Sequence, residues 1–162
     1  SKAVAEVITE NKGVGLRSRV GHSYIKSLMA ESGAIFGGEH SGHFYFADFW
    51  RADSGMLAAL YALAELMDSN KPLSNLLKPY NRYFSSGEIN SKVKDVAKSI
   101  KAVEEKYQGK YQLDHLDGLT VTADSWWFNL RPSNTEPLLR LNVEANTEKE
   151  MAIITDAVLA LL

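Results

Sequence analysis

At 162 residues the chain has room for one domain or two small ones, with 45% apolar residues to build a core and 23% charged residues for its surface. A net charge of −2 gives no overall basic field to draw it to nucleic acid or to a membrane surface. With no cysteine, disulfides and thiolate metal sites are excluded, which fits a reducing compartment and an expected cytoplasmic location.

The chain opens directly into an amphipathic helical pattern, with Val4, Val7 and Ile8 on one face and Gly13 as its stop. With no initiator methionine and no lead-in strand, it reads as a fragment or a processed chain. No basic stretch followed by an apolar one opens it, so no signal peptide is expected within it. Residues Val14 to Val20 read as a short strand. "HSYIKSLMAESG" carries Ile25, Leu28 and Met29 at helical spacing and stops at Gly33. Ala34 to Gly38 and His43 to Asp48 read as two further strands. Asp53 or Ser54 can cap the next helix, "GMLAALYALAELM", which is apolar nearly all round and therefore expected to lie buried. Its apolar run, Met56 to Leu66, is too short and too alanine-rich to span a bilayer. Helices alternating with short apolar strands predict an α/β layer with at least some parallel strands.

Pro72, Pro79 and a Ser-Ser-Gly mark a connection, placing a boundary between Pro79 and Gly87 and domains at 1–80 and 81–162. Beyond it, Asp95 to Tyr107 reads as a helix with Val96, Ile100, Val103 and Tyr107 on one side. Three strand-like runs follow, Gly118 to Ala123, Ser125 to Arg131 and Leu138 to Ala145. The last alternates Leu139, Leu141 and Val143 with Arg140, Asn142 and Glu144, as a half-buried antiparallel strand does. A capping box, Thr147 and Glu150, opens a closing helix whose stripe is Met151, Ile154, Val158 and Leu161. The second domain is thus expected to be α+β, an antiparallel sheet with helices on one face.

Three segments carry chemistry. In "LRPSNTEPLLRL" a strand ends at Arg131 and the next begins near Leu138. Between them lie two hydroxyls (Ser133, Thr135), the amide of Asn134 and the backbone N–H groups of Ser133 to Glu136, which can turn inward, with Pro132 and Pro137 stiffening the two ends. Phosphate needs several donors around a dianion, an arginine fork matches two of its oxygens, and successive N–H groups form an anion nest. An ordinary hairpin turn reads equally well from spacing alone. In "GGEHSGH" the Glu39 carboxylate suits adjacent sugar hydroxyls, Ser41 and His43 add donors or acceptors, and Gly37, Gly38 and Gly42 permit sharp turns. A metal reading through Glu39, His40 and His43 is weak without a third histidine nearby. A Ser-His hydrolase is disfavoured because Ser41 leads into a strand and not a strand-to-helix elbow. A glycine-rich surface turn is the plain alternative. In "RVGHSYIK", His22 falls where a strand hands over to a helix, the end of an α/β sheet that binds ligands, and a histidine titrates near neutrality. His22 or Ser23 merely capping the helix is the alternative.

"VGHSYIK", "GGEHSGHFYF…FWRADSGM" and "RPSNTEPLLRL", in this order and at these separations, resemble the α-D-phosphohexomutases, and most of all the bacterial phosphomannomutase/phosphoglucomutase subgroup. The likeness runs through the whole chain, from the end of that family's third domain through its fourth. It implies a truncated three-layer α/β/α domain with a mixed sheet, followed by a TATA-box-binding-protein-like domain. It also implies roles. Glu39 and Ser41 bind the sugar hydroxyls at positions 3 and 4, and His43 supports that loop or reaches the ligand. Arg131, Ser133, Asn134 and Thr135 hold the phosphate that is not transferred, with Arg19 a weaker candidate. His22 serves in proton transfer or charge stabilisation near the reacting oxygen. The reaction implied is reversible phosphoryl movement between O6 and O1 of a hexose through a bisphosphorylated intermediate. The family's phosphoserine loop and its magnesium loop match nothing here, so neither a metal nor its ligands are expected in this chain. The expected partners are hexose phosphate, the bisphosphate and upstream domains of the same enzyme, with neither nucleic acid nor membrane. A stand-alone, non-catalytic phosphosugar-binding module remains the alternative.

Overall fold

The computed structural model describes residues 1–133 and 136–162. They divide into two units, Ile8–Asn81 and the pair of segments Ser1–Val7 and Arg82–Leu162. The first helix, α1 (Lys2–Glu10), thus begins with the carboxyl-terminal residues, although the sequence pattern grouped it with the first domain. Ala3 is its buried residue, and Val4, expected on the core face, is 59% exposed. Its rotation follows from its start. The Ser1 hydroxyl and the Lys2 N–H both donate to the Glu144 carboxylate, and Lys2 Nζ donates to the Ala123 carbonyl at 2.9 Å.

In the unit Ile8–Asn81, residues 14–20 carry no regular secondary structure, so the expected strand there is corrected. A strand needs a neighbour to satisfy its N–H and C=O groups, and none pairs with this segment among the described residues. Helix α2 (His22–Ser32) follows and ends at Gly33, whose left-handed conformation returns its N–H to the Met29 carbonyl at 3.1 Å. Ile25 and Met29 form its buried face, packing with Tyr45. Three short strands, β1 (Phe36–Gly38), β2 (Phe44–Phe46) and β3 (Ala52–Asp53), make an antiparallel meander in the order β1-β2-β3. The parallel pairing expected from the alternation does not occur among the described residues. Ser54 caps α3 (Gly55–Ser69), its hydroxyl accepting the Leu57 N–H at 3.1 Å. Contrary to expectation, α3 buries none of its residues. Phe46 stacks on Tyr61, but Met56 and Met67 are 79% and 78% exposed, because this unit supplies no second layer over the helix. A short helix, α4 (Leu73–Leu77), closes the unit.

The other unit has five strands: β4 (Phe84–Lys92), β5 (Gln112–Asp114), β6 (Leu119–Thr122), β7 (Trp126–Pro132) and β8 (Leu138–Ala145). They pair antiparallel throughout in the order β4-β8-β7-β6-β5. Helices α5 (Val96–Tyr107) and α6 (Glu148–Leu159) cover one face, with Val103, Tyr107 and Val158 against Phe128, Leu130, Leu139, Leu141 and Val143. Rings of Tyr107, Trp126 and Phe128 meet within about 6 Å, which adds to the area they bury. Truncating a fully buried residue such as Leu141 to alanine is expected to cost about 2–5 kcal/mol. Asp95 caps α5, and Thr147 caps α6 by accepting the Glu150 N–H at 3.2 Å. The expected capping box is only half made, since the Glu150 carboxylate instead accepts the Ser125 hydroxyl at 2.6 Å.

Strand β4 occupies residues read as a linker, because its Ser-Ser-Gly is a bulge and not a turn. The register shifts by one residue between Ser85 and Glu88, and Gly87 supplies the positive φ. The Val143 N–H that the ladder loses is met by the Ser86 hydroxyl at 2.9 Å. The sheet's other face is polar. At one end Glu144 is buried under α1. Burial alone would raise its pKa, but hydrogen bonds from Ser1, Trp127 and Lys2 outweigh that and hold it below the usual carboxylate range. At the other end of that face stand Arg131 and Arg140.

Candidate functional site

The loop between β1 and β2 is a tight hairpin. Glu39 and His43 close it through Glu39 N–H to the His43 carbonyl, 2.9 Å, and Gly42 N–H to the Glu39 carbonyl, 3.0 Å. Gly42 sits at φ 84°, a conformation only glycine adopts without strain. The Glu39 side chain is aimed by a buried strut. Tyr45, 1% exposed on β2, donates its phenol to Glu39 Oε1 at 2.5 Å, while the Ser41 hydroxyl lies 3.5 Å from Oε2. Burial pushes the Tyr45 phenol well above its ordinary range, and the bond to Glu39 pushes it further, so it remains a donor. Each carboxylate oxygen keeps lone-pair capacity for a ligand hydroxyl.

His43 is oriented by a residue the sequence singled out only as a possible cap. Asp53, brought opposite Tyr45 by the β2–β3 register, accepts His43 Nδ1 at 2.6 Å and the Phe44 N–H at 2.9 Å. The hydrogen bond to Asp53, then its charge, raises the His43 pKa; the same bond, then the Phe44 N–H, lowers that of Asp53. The imidazole is thereby biased toward its protonated form, with Nε2 as a donor.

These groups line a cavity of about 440 Å³, with His22, Lys26, Glu39, Ser41, His43 and Asp53 among its walls. His22 opens α2 from an irregular segment, not from a strand end as expected. Nor does it cap the helix: Gly21 is the N-cap and no side chain fills that role. Lys26 lies one turn further along α2 and adds a cation that sequence reading passed over; the i, i+4 spacing from His22 was the available signal. Arg19 lies elsewhere, its guanidinium 4.7 Å above the Tyr24 ring and not among the cavity's lining residues. His40 joins no metal cluster. No group of three or more His, Cys, Asp or Glu that could hold an ion occurs among the described residues, so the magnesium implied by resemblance has no fitting donor set among them.

In the other unit, Arg131 is the penultimate residue of β7 and the hairpin loop closes with Ser133 N–H to the Leu138 carbonyl at 2.9 Å. The Ser133 hydroxyl accepts the Glu136 N–H at 3.3 Å and an Arg140 terminal nitrogen at 3.4 Å. Asn134 and Thr135, expected phosphate ligands, lie outside the described residues. Arg131 and Arg140 are direct cross-strand partners, and Glu88 contacts both at 3.3 Å. Neither Arg140 nor Glu88 was picked out from the sequence. Arg140 was legible in principle, since the alternation of β8 puts it on the face opposite Leu139 and Leu141.

Comparison with known proteins identifies the family. Residues 1–83 match the family model "Phosphoglucomutase/phosphomannomutase, alpha/beta/alpha domain III", and residues 88–161 match "Phosphoglucomutase/phosphomannomutase, C-terminal domain". A phosphomannomutase of Methanocaldococcus jannaschii is 47% identical over 151 residues, covering 93% of this chain and 33% of that protein. A phosphomannomutase of Escherichia coli is 39% identical over 160 residues, covering 97% and 35%. The crystal structure of a phosphoglucomutase/phosphomannomutase family protein from Burkholderia thailandensis superposes with a TM-score of 0.82 at 31% identity, over 98% of this chain and 34% of that one. The chain therefore spans about a third of the length of these relatives. No helix among the described residues is long and apolar enough to cross a membrane. With both domain models matched end to end along it, the chain belongs to the phosphoglucomutase/phosphomannomutase family.

Proposed function

We propose that this chain is the sugar- and phosphate-binding carboxyl-terminal part of a phosphohexomutase acting on hexose phosphates. The whole enzyme would interconvert hexose 6-phosphate and hexose 1-phosphate through a bisphosphorylated intermediate. The observation that carries the reading is the gathering of His22, Glu39, Ser41 and His43, from two separate sequence motifs, on the walls of one cavity. Glu39 and Ser41 take the sugar hydroxyls, aimed by Tyr45. His43, held by Asp53, donates from Nε2 to a substrate oxygen, and His22 supplies or accepts a proton near the reacting oxygen. Arg131, Ser133, Asn134 and Thr135 hold the phosphate that is not transferred, with Arg140 at Ser133. An intermediate that turns over must present either phosphate to this same anion site, which favours a fixed multidentate cradle. Arg19 is left as a minor phosphate contact. The magnesium and the phosphoserine belong to upstream domains of the parent, which is cytoplasmic, and the chain alone does not turn over. Mannose is the favoured sugar, on the likeness of "EHSGHFYFADFW" to the phosphomannomutases.

Calorimetric titration of the chain with mannose 1-phosphate tests the reading. Saturable binding is expected, weakened by Glu39→Gln and by Arg131→Ala, with no isomerisation of mannose 1-phosphate by the chain alone. Absence of binding, or robust turnover, contradicts it. The ratio of kcat/KM for mannose and glucose phosphates in the parent enzyme decides the sugar.

A further inference from the structure

Arg131 and Arg140 face each other directly across the β7–β8 hairpin, so two like charges stand on strands about 5 Å apart. Nothing in the ladder itself holds their guanidiniums together. Glu88 does so: its Oε2 lies 3.3 Å from Arg131 Nη2 and its Oε1 lies 3.3 Å from Arg140 Nη1. Each guanidinium gives the carboxylate a single nitrogen, leaving most of its donors for another acceptor. Arg140 also donates to Ser133 Oγ, inside the loop assigned to phosphate, and its Nε is buried without a partner among the described residues. The β4 bulge is what delivers Glu88 to this place. Pairing passes from Ser85↔Glu144 to Glu88↔Asn142, one extra residue on β4. In an unbulged strand Glu88 would point to the opposite, helix-covered face.

We propose that Glu88 is a positioning residue of the phosphate site, bridging Arg131 and Arg140 so that both guanidiniums are held at the Ser133 loop. This rests on the assignment of that loop to phosphate. Its sign is diagnostic. Removing a carboxylate beside an anion site should, by charge alone, tighten phosphate binding. Loss of a positioning group loosens it instead.

The test is titration of the chain with inorganic phosphate at constant ionic strength, following the amide resonances of Ser133 and Glu136, for wild type, Glu88→Gln and Glu88→Asp. Glu88→Gln is expected to weaken binding by about three- to fivefold. Glu88→Asp, which keeps the charge, is expected to recover part of that loss. The Arg140 Nε–H resonance should shift in Glu88→Gln, and the thermal midpoint should move little. Equal or tighter binding by Glu88→Gln overturns the proposal while leaving the phosphate assignment standing. Absence of any saturable shift at Ser133 and Glu136 in the wild type overturns both.

Discussion

Gly118 packs against Arg131, a residue of the proposed phosphate site, and replacing it with alanine tests that link. It precedes β6 at φ 70°, and a Cβ built there lies 2.6 Å from the Leu130 carbonyl oxygen, 2.6 Å from Arg131 Cβ and 2.7 Å from Arg131 Cα. None of these atoms can swing aside, because two are backbone and the third is fixed to it. The left-handed conformation costs an alanine about 1–2 kcal/mol, and the overpacking adds about 1–3 kcal/mol. Relief requires β6 and β7 to part near the Leu119↔Leu130 pair. The sum is about 2–5 kcal/mol, which in a unit of this size lowers Tm by roughly 8 °C or more. Gly109→Ala is the control, since Gly109 has the same sign of φ (75°) but nothing within 4 Å of its Cβ; it should lose only the conformational part. Thermal melts by circular dichroism read the stability, and phosphate titration reads the displacement of Arg131. Melting of Gly118→Ala and Gly109→Ala at the same temperature, with phosphate affinity intact in both, would refute the close packing of Gly118 on Arg131.

Three other outcomes follow from the geometry. Arg131→Ala should weaken phosphate binding by about tenfold or more while lowering Tm by only a few degrees; parallel losses in both would make Arg131 a structural residue. Because His43 titrates above its ordinary value and Asp53 below its own, their pairing contributes fully between about pH 4 and 6.5. It fades as pH rises through the raised imidazole pKa or falls through the depressed carboxyl pKa. Asp53→Asn should therefore lower the His43 midpoint measured by NMR, and an unmoved midpoint would deny the contact. Tyr45→Phe removes the donor to Glu39 Oε1, at about 1 kcal/mol of stability. It should weaken mannose 1-phosphate binding severalfold and leave inorganic phosphate binding unchanged; loss of both would mean the substitution acts globally.

Much of the fold is readable where one face is covered and a terminus is marked. The β8 alternation, the Gly33 stop of α2 and the Ser54 and Thr147 caps all depend on neighbours within a few residues. What fails depends on distant partners. Residues 14–20 have strand-forming side chains but no strand to pair with among the described residues, and α3 has an apolar surface but no second layer in its unit. Ser85-Ser86-Gly87 has turn composition, yet here it is a bulge whose Ser86 hydroxyl replaces a ladder bond to Val143. The site divides in the same way. Glu39, Ser41 and His43 lie within one hairpin and announce themselves by spacing. Asp53, Tyr45 and Glu88 act through strand register, which sequence spacing does not display, whereas the β8 alternation shows the face of Arg140 but not its partner Arg131.

The most direct test of the two-loop account is an NMR titration of the chain with mannose 1-phosphate, following the amides of Glu39, Ser41 and His43 together with those of Ser133 and Glu136. Both groups should shift saturably and fit one dissociation constant. Saturation in neither group, or shifts confined to residues away from both loops, would contradict it.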